Sequence, residues 1–366
     1  MRKEAHIQFC GKCGKEMPYH LRNAEIAKAV GGKEYLFEIA SAFCDGCGEP
    51  VSPPGLFDRN AEGIDRQYRE KERIASVETI RKLMARYRMG KESLSLAFGL
   101  HAEAAGRYLA GQIPASEVSD MFRKALASPA YMMAALQKNR EKMDKAAYRD
   151  AMRAGEELEC FFALSGKLRA AIIYLLQKGK SITPLSLQKM LYYAQGICLA
   201  LSGRELFRED CQAWAHGPVY KNVYEAFRSF GREPIDGTRF YIGREDCPGP
   251  GELSGREEDC SGPGELSGKE KDCPGPGELS EREKKVLDLV AESLGSYSGK
   301  TLEKVTHEET PWREARKGCK PSQRSSAVIT KASVRTYFAA TASRYHFTSA
   351  AGIRAYIEDK SGIYRR

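Results

Sequence analysis

Four cysteines near the start of the chain have the types and spacing that chemistry requires. They form two C-x-x-C pairs, Cys10/Cys13 and Cys44/Cys47, separated by thirty residues. Each pair can put two thiolates on one tight turn, and a glycine, Gly14 or Gly48, follows the second cysteine in both. Glycine there lets the backbone fold beneath a metal so that amides face the sulfurs. Four thiolates favour a closed tetrahedral site, structural because no open coordination position remains. The expected cofactor is one structural Zn2+ held by Cys10, Cys13, Cys44 and Cys47. Between the pairs, Tyr35, Phe37, Ile39 and Phe43 take alternate positions of a run ending at Cys44. That spacing predicts a small β ribbon. A redox C-x-x-C would sit beside a βαβ unit, a pattern this sequence lacks.

Cys211, His216 and His307 form a second group, since a cysteine beside a histidine can act as nucleophile and base. No oxyanion loop or third orienting residue accompanies them, and the chain is read as a non-enzyme. The two tryptophans, Trp214 and Trp312, stand near these histidines in sequence; such residues are more often scaffold than contact, with anchoring of a partner as the second role.

The elements that must position these residues are mostly helical. A chain of 366 residues is long enough for two or three domains. After Val51-Ser-Pro-Pro-Gly55 it turns basic. Ser76 reads as an N-cap before the stripe Ile80, Leu83, Met84 and Tyr87, with Gly90 as the stop. A short helix over Glu92–Phe98 ends at Gly99, and a third runs from His101 to Leu109. Two short helices joined at a glycine match a helix-turn-helix, whose second helix enters the major groove. His101, Glu103, Ala104 and Arg107, with Tyr108, are then the candidate DNA-facing residues. Lys82, Arg86, Arg88 and Lys91 are candidates for the phosphate backbone. Ala130–Arg153 reads as one further helix closing this domain, and the sequence leaves open whether it also forms a homodimer. Farther on, Leu187, Met190, Leu191 and Ala194 share one face of an amphipathic helix that stops at Gly203.

Charge is unevenly spread. Residues 244–281 hold four Lys/Arg against eleven Asp/Glu, so a net of +9 becomes about +16 for the remainder. This stretch repeats one unit three times, with Cys247, Cys260 and Cys273 thirteen residues apart. One Leu and one Cys per unit bury too little apolar area to offset ordering entropy, so a disordered acidic insert is expected. No apolar run reaches the roughly 18 residues of a membrane span, and no signal-peptide pattern opens the chain. A cytoplasmic, nucleoid-associated protein that does not bind membranes is expected, its eleven cysteines favouring metal over disulfides.

Two resemblances sharpen this reading. Residues 7–140, with Arg107-Tyr108 followed by Gly111, are similar to MqsA-type antitoxins, in which a zinc ribbon precedes an XRE-type helix-turn-helix. Ala213-Trp-Ala-His-Gly-Pro-Val-Tyr220, the helix before it, and Thr306-His307, Pro311-Trp312 and Ala315-Arg316 after it resemble the Panacea domain of SocA/GepA-like antitoxins. That second likeness spans about Leu168 to Phe338. It implies Trp214, His216, Gly217, Pro218, Val219, Tyr220, His307 and Trp312 as partner-binding or domain-signature residues.

The expected fold is mainly α and multidomain. It comprises a zinc ribbon (1–55), a helix-turn-helix domain (56–150), a helical Panacea-like domain (155–340) carrying the insert, and a basic extension (341–366). The resemblances imply a type II antitoxin that binds a cognate protein toxin through its C-terminal domain and represses its own promoter through the N-terminal one. A zinc-ribbon transcription regulator and a SocA-like proteolytic adaptor are the alternatives.

Overall fold

The computed structural model describes residues 7–240, 277–320 and 322–362. It is mainly helical, with two small antiparallel sheets, and divides into two compact units. The first unit comprises Met1–Met84 with Gly90–Ala127, the second Ala85–Met89 with Ser128–Arg366.

The first unit opens on a sheet of order β1-β2-β3-β4: β1 Ile7–Cys10, β2 Lys15–Val30, β3 Lys33–Cys44 and β4 Pro50–Val51. Val30 pairs with Lys33, so Gly31-Gly32 is a two-residue hairpin loop. Both glycines have positive φ (58° and 82°), the geometry that matches strand twist in such loops. Helix α1 (Leu56–Lys71) then lies along β3. Asn60 bonds both the N–H and C=O of Ala40, Gln67 does the same for Glu38, and Lys71 donates to the Leu36 carbonyl. Side-chain amides thereby stand in for a missing neighbour strand and seal an edge open to unwanted pairing. Tyr68 packs edge-on against Tyr35 at 5.3 Å, and Phe37 is fully buried.

Four short helices follow: α2 (Val77–Arg86), α3 (Lys91–Ala97), α4 (Ala104–Leu109) and α5 (Ser116–Ala127). Ser76 caps α2, accepting from Thr79 N–H at 3.0 Å. Helix α2 ends at Arg86, short of the expected stop, and Gly90 is instead the N-cap residue of α3. Gly99, at φ 72°, turns the chain out of α3. Ser95 of α3 accepts from the Ala105 amide at 2.9 Å and so fixes the start of α4. Phe122 of α5 packs edge-on against Phe98 and Tyr108.

The second unit contains α6 (Pro129–Lys138), α7 (Lys145–Phe162), α8 (Gly166–Lys178), α9 (Pro184–Ser202), β5 (Cys211–Trp214), β6 (Gly217–Val219) and α10 (Lys221–Phe227). After residue 277 come α11 (Glu281–Leu294), α12 (Gly299–His307), α13 (Thr310–Ala315), β7 (Val328–Ile329), α14 (Lys331–Tyr345) and α15 (Ala350–Ser361). The single helix expected over 130–153 is therefore two. Asn139 ends α6, a 3-10 turn follows, and the Asp144 carboxylate caps α7. The acidic insert lies outside the described residues up to 276. Its last residues are ordered: Ser280 and Glu283 form a capping box that starts α11.

Helix α9 is the axis of this unit. It is buried on every side from Leu187 to Leu199 rather than along the one face expected from sequence. A helix apolar or satisfied all round belongs in a core. The phenyl ring of Phe338 in α14 lies where a Cβ at Gly196 would be, so the two helices meet backbone to ring. The C-terminal extension is no appendage. Phe347, Ile353, Tyr356 and Ile357 are buried, and Ser349 caps α15. Among the described residues, no helix is long and apolar enough to cross a membrane.

Candidate functional site

In the first unit, β1 and β3 each end on a cysteine, and the turns that follow supply the second of each pair. The two turns close identically. Gly14 N–H donates to Cys10 C=O and Gly48 N–H to Cys44 C=O, both at 2.9 Å, with φ of 66° and 72°. The four sulfurs lie within 4.8 Å of one another, with Cys10–Cys47 at 3.5 Å and Cys13–Cys44 at 3.9 Å. A metal–thiolate bond of ~2.3 Å in a tetrahedron places sulfurs about 3.8 Å apart, so the donor set fits one ion. The Gly46 amide points at Cys44 Sγ, the outer hydrogen bonding that orients such ligands. Among the described residues this is the one grouping of three or more His, Cys, Asp or Glu close enough to hold a metal.

Along α3 and α4, Lys91, His101, Glu103 and Arg107 are exposed. Ala104 and Tyr108 are buried, which corrects the expectation that they face outward. Helix α4 begins only at Ala104, so Ala104, Ala105 and Tyr108 form its inner stripe while Glu103 and Arg107, one turn apart, point away. The Lys91 stem passes close to Gly106 of α4, at a distance a Cβ would also tolerate. Arg86 and Arg88 are also corrected. Arg86 is buried, with its guanidinium on the Arg239 carbonyl, and Arg88 pairs with Glu157 at 3.1 Å. Arg86 is therefore withdrawn from any phosphate, whereas Arg88 stays exposed with its charge committed to Glu157.

In the second unit, the separated sequence signatures come together. Strands β5 and β6 form a hairpin, Trp214 opposite Gly217, and β7 pairs with β5 on its other side. Gly217, Pro218, Val219 and Tyr220 are buried and serve as scaffold. Polar side chains of α9 satisfy this irregular backbone, as buried amides and carbonyls require. Gln188 exchanges two hydrogen bonds with Tyr220, and Gln195 binds the amides of Leu206 and Phe207. Trp214, His216, His307 and Trp312 instead reach the surface. Trp312 Nε1 donates to the Trp214 carbonyl at 3.0 Å, and His307 stacks on Trp312 with ring centroids 4.2 Å apart. Arg316 covers the Trp312 ring at 5.2 Å and donates to the Ala213 carbonyl. Trp214 packs edge-on against the exposed Tyr224.

His216 sits in the turn between β5 and β6. Its side chain is 72% exposed, with Nδ1 3.0 Å from Glu303 Oε1. His307 occupies the aromatic stack instead, where burial lowers its imidazole below the ordinary value. Cys211 is buried, which pushes its thiol up to about 12, so it is no thiolate at neutral pH. A nucleophile–base pair with the outward-facing His216 does not form here. Sequence reasoning missed Gln188, Lys189, Glu303 and Glu309, all buried polar residues that bind the hairpin or the α12–α13 junction. No local signal marked them, since their partners lie far away in sequence.

Residues 187–313 match the family described as Antitoxin SocA-like, Panacea domain. Antitoxin SocA of Caulobacter vibrioides (strain NA1000 / CB15N) is 40% identical over 71 residues, 18% of this chain. The chain spans 38% of the length of that curated relative. No solved structure matches. The C-terminal part of the protein thus carries a SocA-like segment, which runs from Leu187 in α9 to residue 313 in α13 and includes Trp214, His216, His307 and Trp312, while Arg316 and β7 lie beyond it.

Proposed function

We propose that the protein is the antitoxin of a type II toxin–antitoxin system. Its second unit binds and neutralises a protein toxin through the face formed by Trp214, His216, His307 and Trp312. The observation that carries this reading is the SocA-like segment itself, which coincides with a half-exposed aromatic face. Half-buried tryptophans ringed by polar groups are the residues that anchor protein interfaces. In the first unit, Cys10, Cys13, Cys44 and Cys47 hold one Zn2+, and the α3–α4 pair binds the operon's promoter through Lys91, His101, Glu103 and Arg107. The symmetric form of such a reader is a homodimer on a palindromic site.

Co-expression with the product of the adjacent gene tests the central claim, scored by growth and co-purification. Trp312→Ala is expected to weaken capture by about 2 kcal/mol or more, the size of an interface hot spot. Arg107→Ala is expected to weaken promoter binding by about 1–3 kcal/mol while rescue persists. A non-toxic neighbour that does not co-purify would move the assignment to a transcription regulator. Shortened half-life of a captured partner would support the adaptor alternative instead.

Metal content gives an independent check. One zinc per chain is expected, and Cys10→Ser or chelation removes it with loss of the ribbon's strand signal, since site and fold form together. Both tryptophans lie in the second unit, so their emission should stay unchanged. A full strand signal in metal-free protein would rule out a structural ion.

A further inference from the structure

Two buried polar residues of α9 remain without a role in the binding reading. Lys189 is fully buried, and its Nζ lies 2.5 Å from the His216 carbonyl and 3.0 Å from that of Pro218. One turn later, Tyr193 donates to Glu309 Oε1 at 2.7 Å. The same carboxylate oxygen accepts from Tyr356 of α15 at 2.6 Å, and Tyr356 in turn meets Tyr337 at 3.0 Å. Glu309 is the N-cap residue of α13, three positions before Trp312.

These contacts address the two halves of the aromatic face separately. Lys189 grips the turn that follows Trp214 and presents His216. Tyr193 grips the start of the helix that presents Trp312. Residues four apart on a helix share one face at a fixed separation. One rigid buried turn of α9 therefore sets the distance between hairpin and α13, and the Trp312–Trp214 hydrogen bond closes the gap at the surface. An apolar side chain of similar length would fill the Lys189 site without the cost of burying an amine. What the amine adds is its hold on two carbonyls of the turn. Gly217 is shaped to the same purpose, since a Cβ there would stand 2.5 Å from Lys189 Nζ.

We infer that Lys189 and Tyr193, with Glu309 and Tyr356, are positioning residues that pre-organise the partner-binding face. The inference rests on the assignment of that face under the proposed function. It also gives the C-terminal helix α15 a part in binding, through Tyr356, although that helix presents no contact residue. Fixing a binding surface in its bound geometry raises affinity by reducing what must be ordered on association.

The chain's two tryptophans both lie in this face, so their emission reports it without a partner. Lys189→Met and Tyr193→Phe are introduced separately into the full chain. Each is expected to red-shift tryptophan emission, at least double its acrylamide quenching and weaken near-UV circular dichroism, with helical far-UV signal retained. Capture of the adjacent gene's product is expected to fall at least tenfold. In a double-mutant cycle, Trp312→Ala is expected to cost less in the Lys189→Met background than alone, because the face is already displaced. Where Lys189→Met fails to fold, Tyr193→Phe, which keeps the ring, decides the matter. Unchanged emission and quenching in the folded variants overturn the inference. Altered emission in a chain whose wild type captures nothing upholds the positioning of the two tryptophans and overturns the toxin reading instead.

Discussion

Gly217→Ala is expected to destabilise the second unit by roughly 2–5 kcal/mol and to abolish partner capture. The residue sits at φ 94°, where an L side chain is strained whatever the available space. Space is lacking as well. The new methyl carbon would lie 2.5 Å from Lys189 Nζ and 2.7 Å from Thr306 Oγ1. A lysine terminus normally swings aside, but this one is buried and bound to two carbonyls, and the Thr306 hydroxyl is held by the Glu303 carbonyl at 2.8 Å. Either the turn or the α12 contact must yield. Urea unfolding followed by tryptophan emission measures the loss. Gly362→Ala is the control: it ends α15 in left-handed geometry, φ 68° and ψ 20°, with open space around it, so about 1–2 kcal/mol is expected. Equal effects at the two positions would show that packing around Lys189 is not tight.

Glu157→Ala is expected to cost the second unit about 3–5 kcal/mol, the penalty of leaving a buried cation without its partner. Glu157 Oε2 accepts from both terminal nitrogens of Arg239 at 3.2 Å and from Arg88 at 3.1 Å. Arg239 and Glu157 are 4% and 5% exposed, so water cannot replace the lost carboxylate. A third arginine ties in the backbone, Arg86 donating to the Arg239 carbonyl and Arg239 to that of Arg86. Losing the charge therefore loosens the Ala85–Met89 segment together with the turn at 237–240. Glu157→Gln keeps an acceptor and should lose less. Denaturant midpoints for the two variants test this ranking, and a Glu157→Ala cost under 1 kcal/mol would mean that the arginines reach solvent.

The legible parts of this protein were those in which neighbours in sequence act on each other. The C-x-x-C turns could be read because two cysteines and a positive-φ glycine fall within five residues. Ser76 could be read as a cap because it bonds an amide three residues on. The inner and outer faces of α4 were misjudged for a related reason: the helix starts three residues later than expected, and its stripe rotated accordingly. The C-terminal helices carried caps at Thr330 and Ser349 and an apolar set at Ile353, Tyr356 and Ile357, so their place in the core was available from sequence. Basic residues between them obscured it.

By itself, the sequence determined the mainly helical class, the paired cysteine turns and the strand that ends at Cys44, because those choices rest on local hydrogen bonds and glycine geometry. It also singled out Trp214, His216, His307 and Trp312, though as separated pieces. Only the tertiary structure decided which polar residues are surface and which are scaffold. Arg86 reads as a phosphate contact until the Arg239 carbonyl, 153 residues away, is seen to hold its buried guanidinium. Lys189 and Gln188 read as a solvated face until the hairpin carbonyls and amides close over them. A charged or amide side chain is stable in water or in a core, and its own sequence neighbours do not distinguish the two. The partner that satisfies it comes from elsewhere in the chain, and folding alone brings it there.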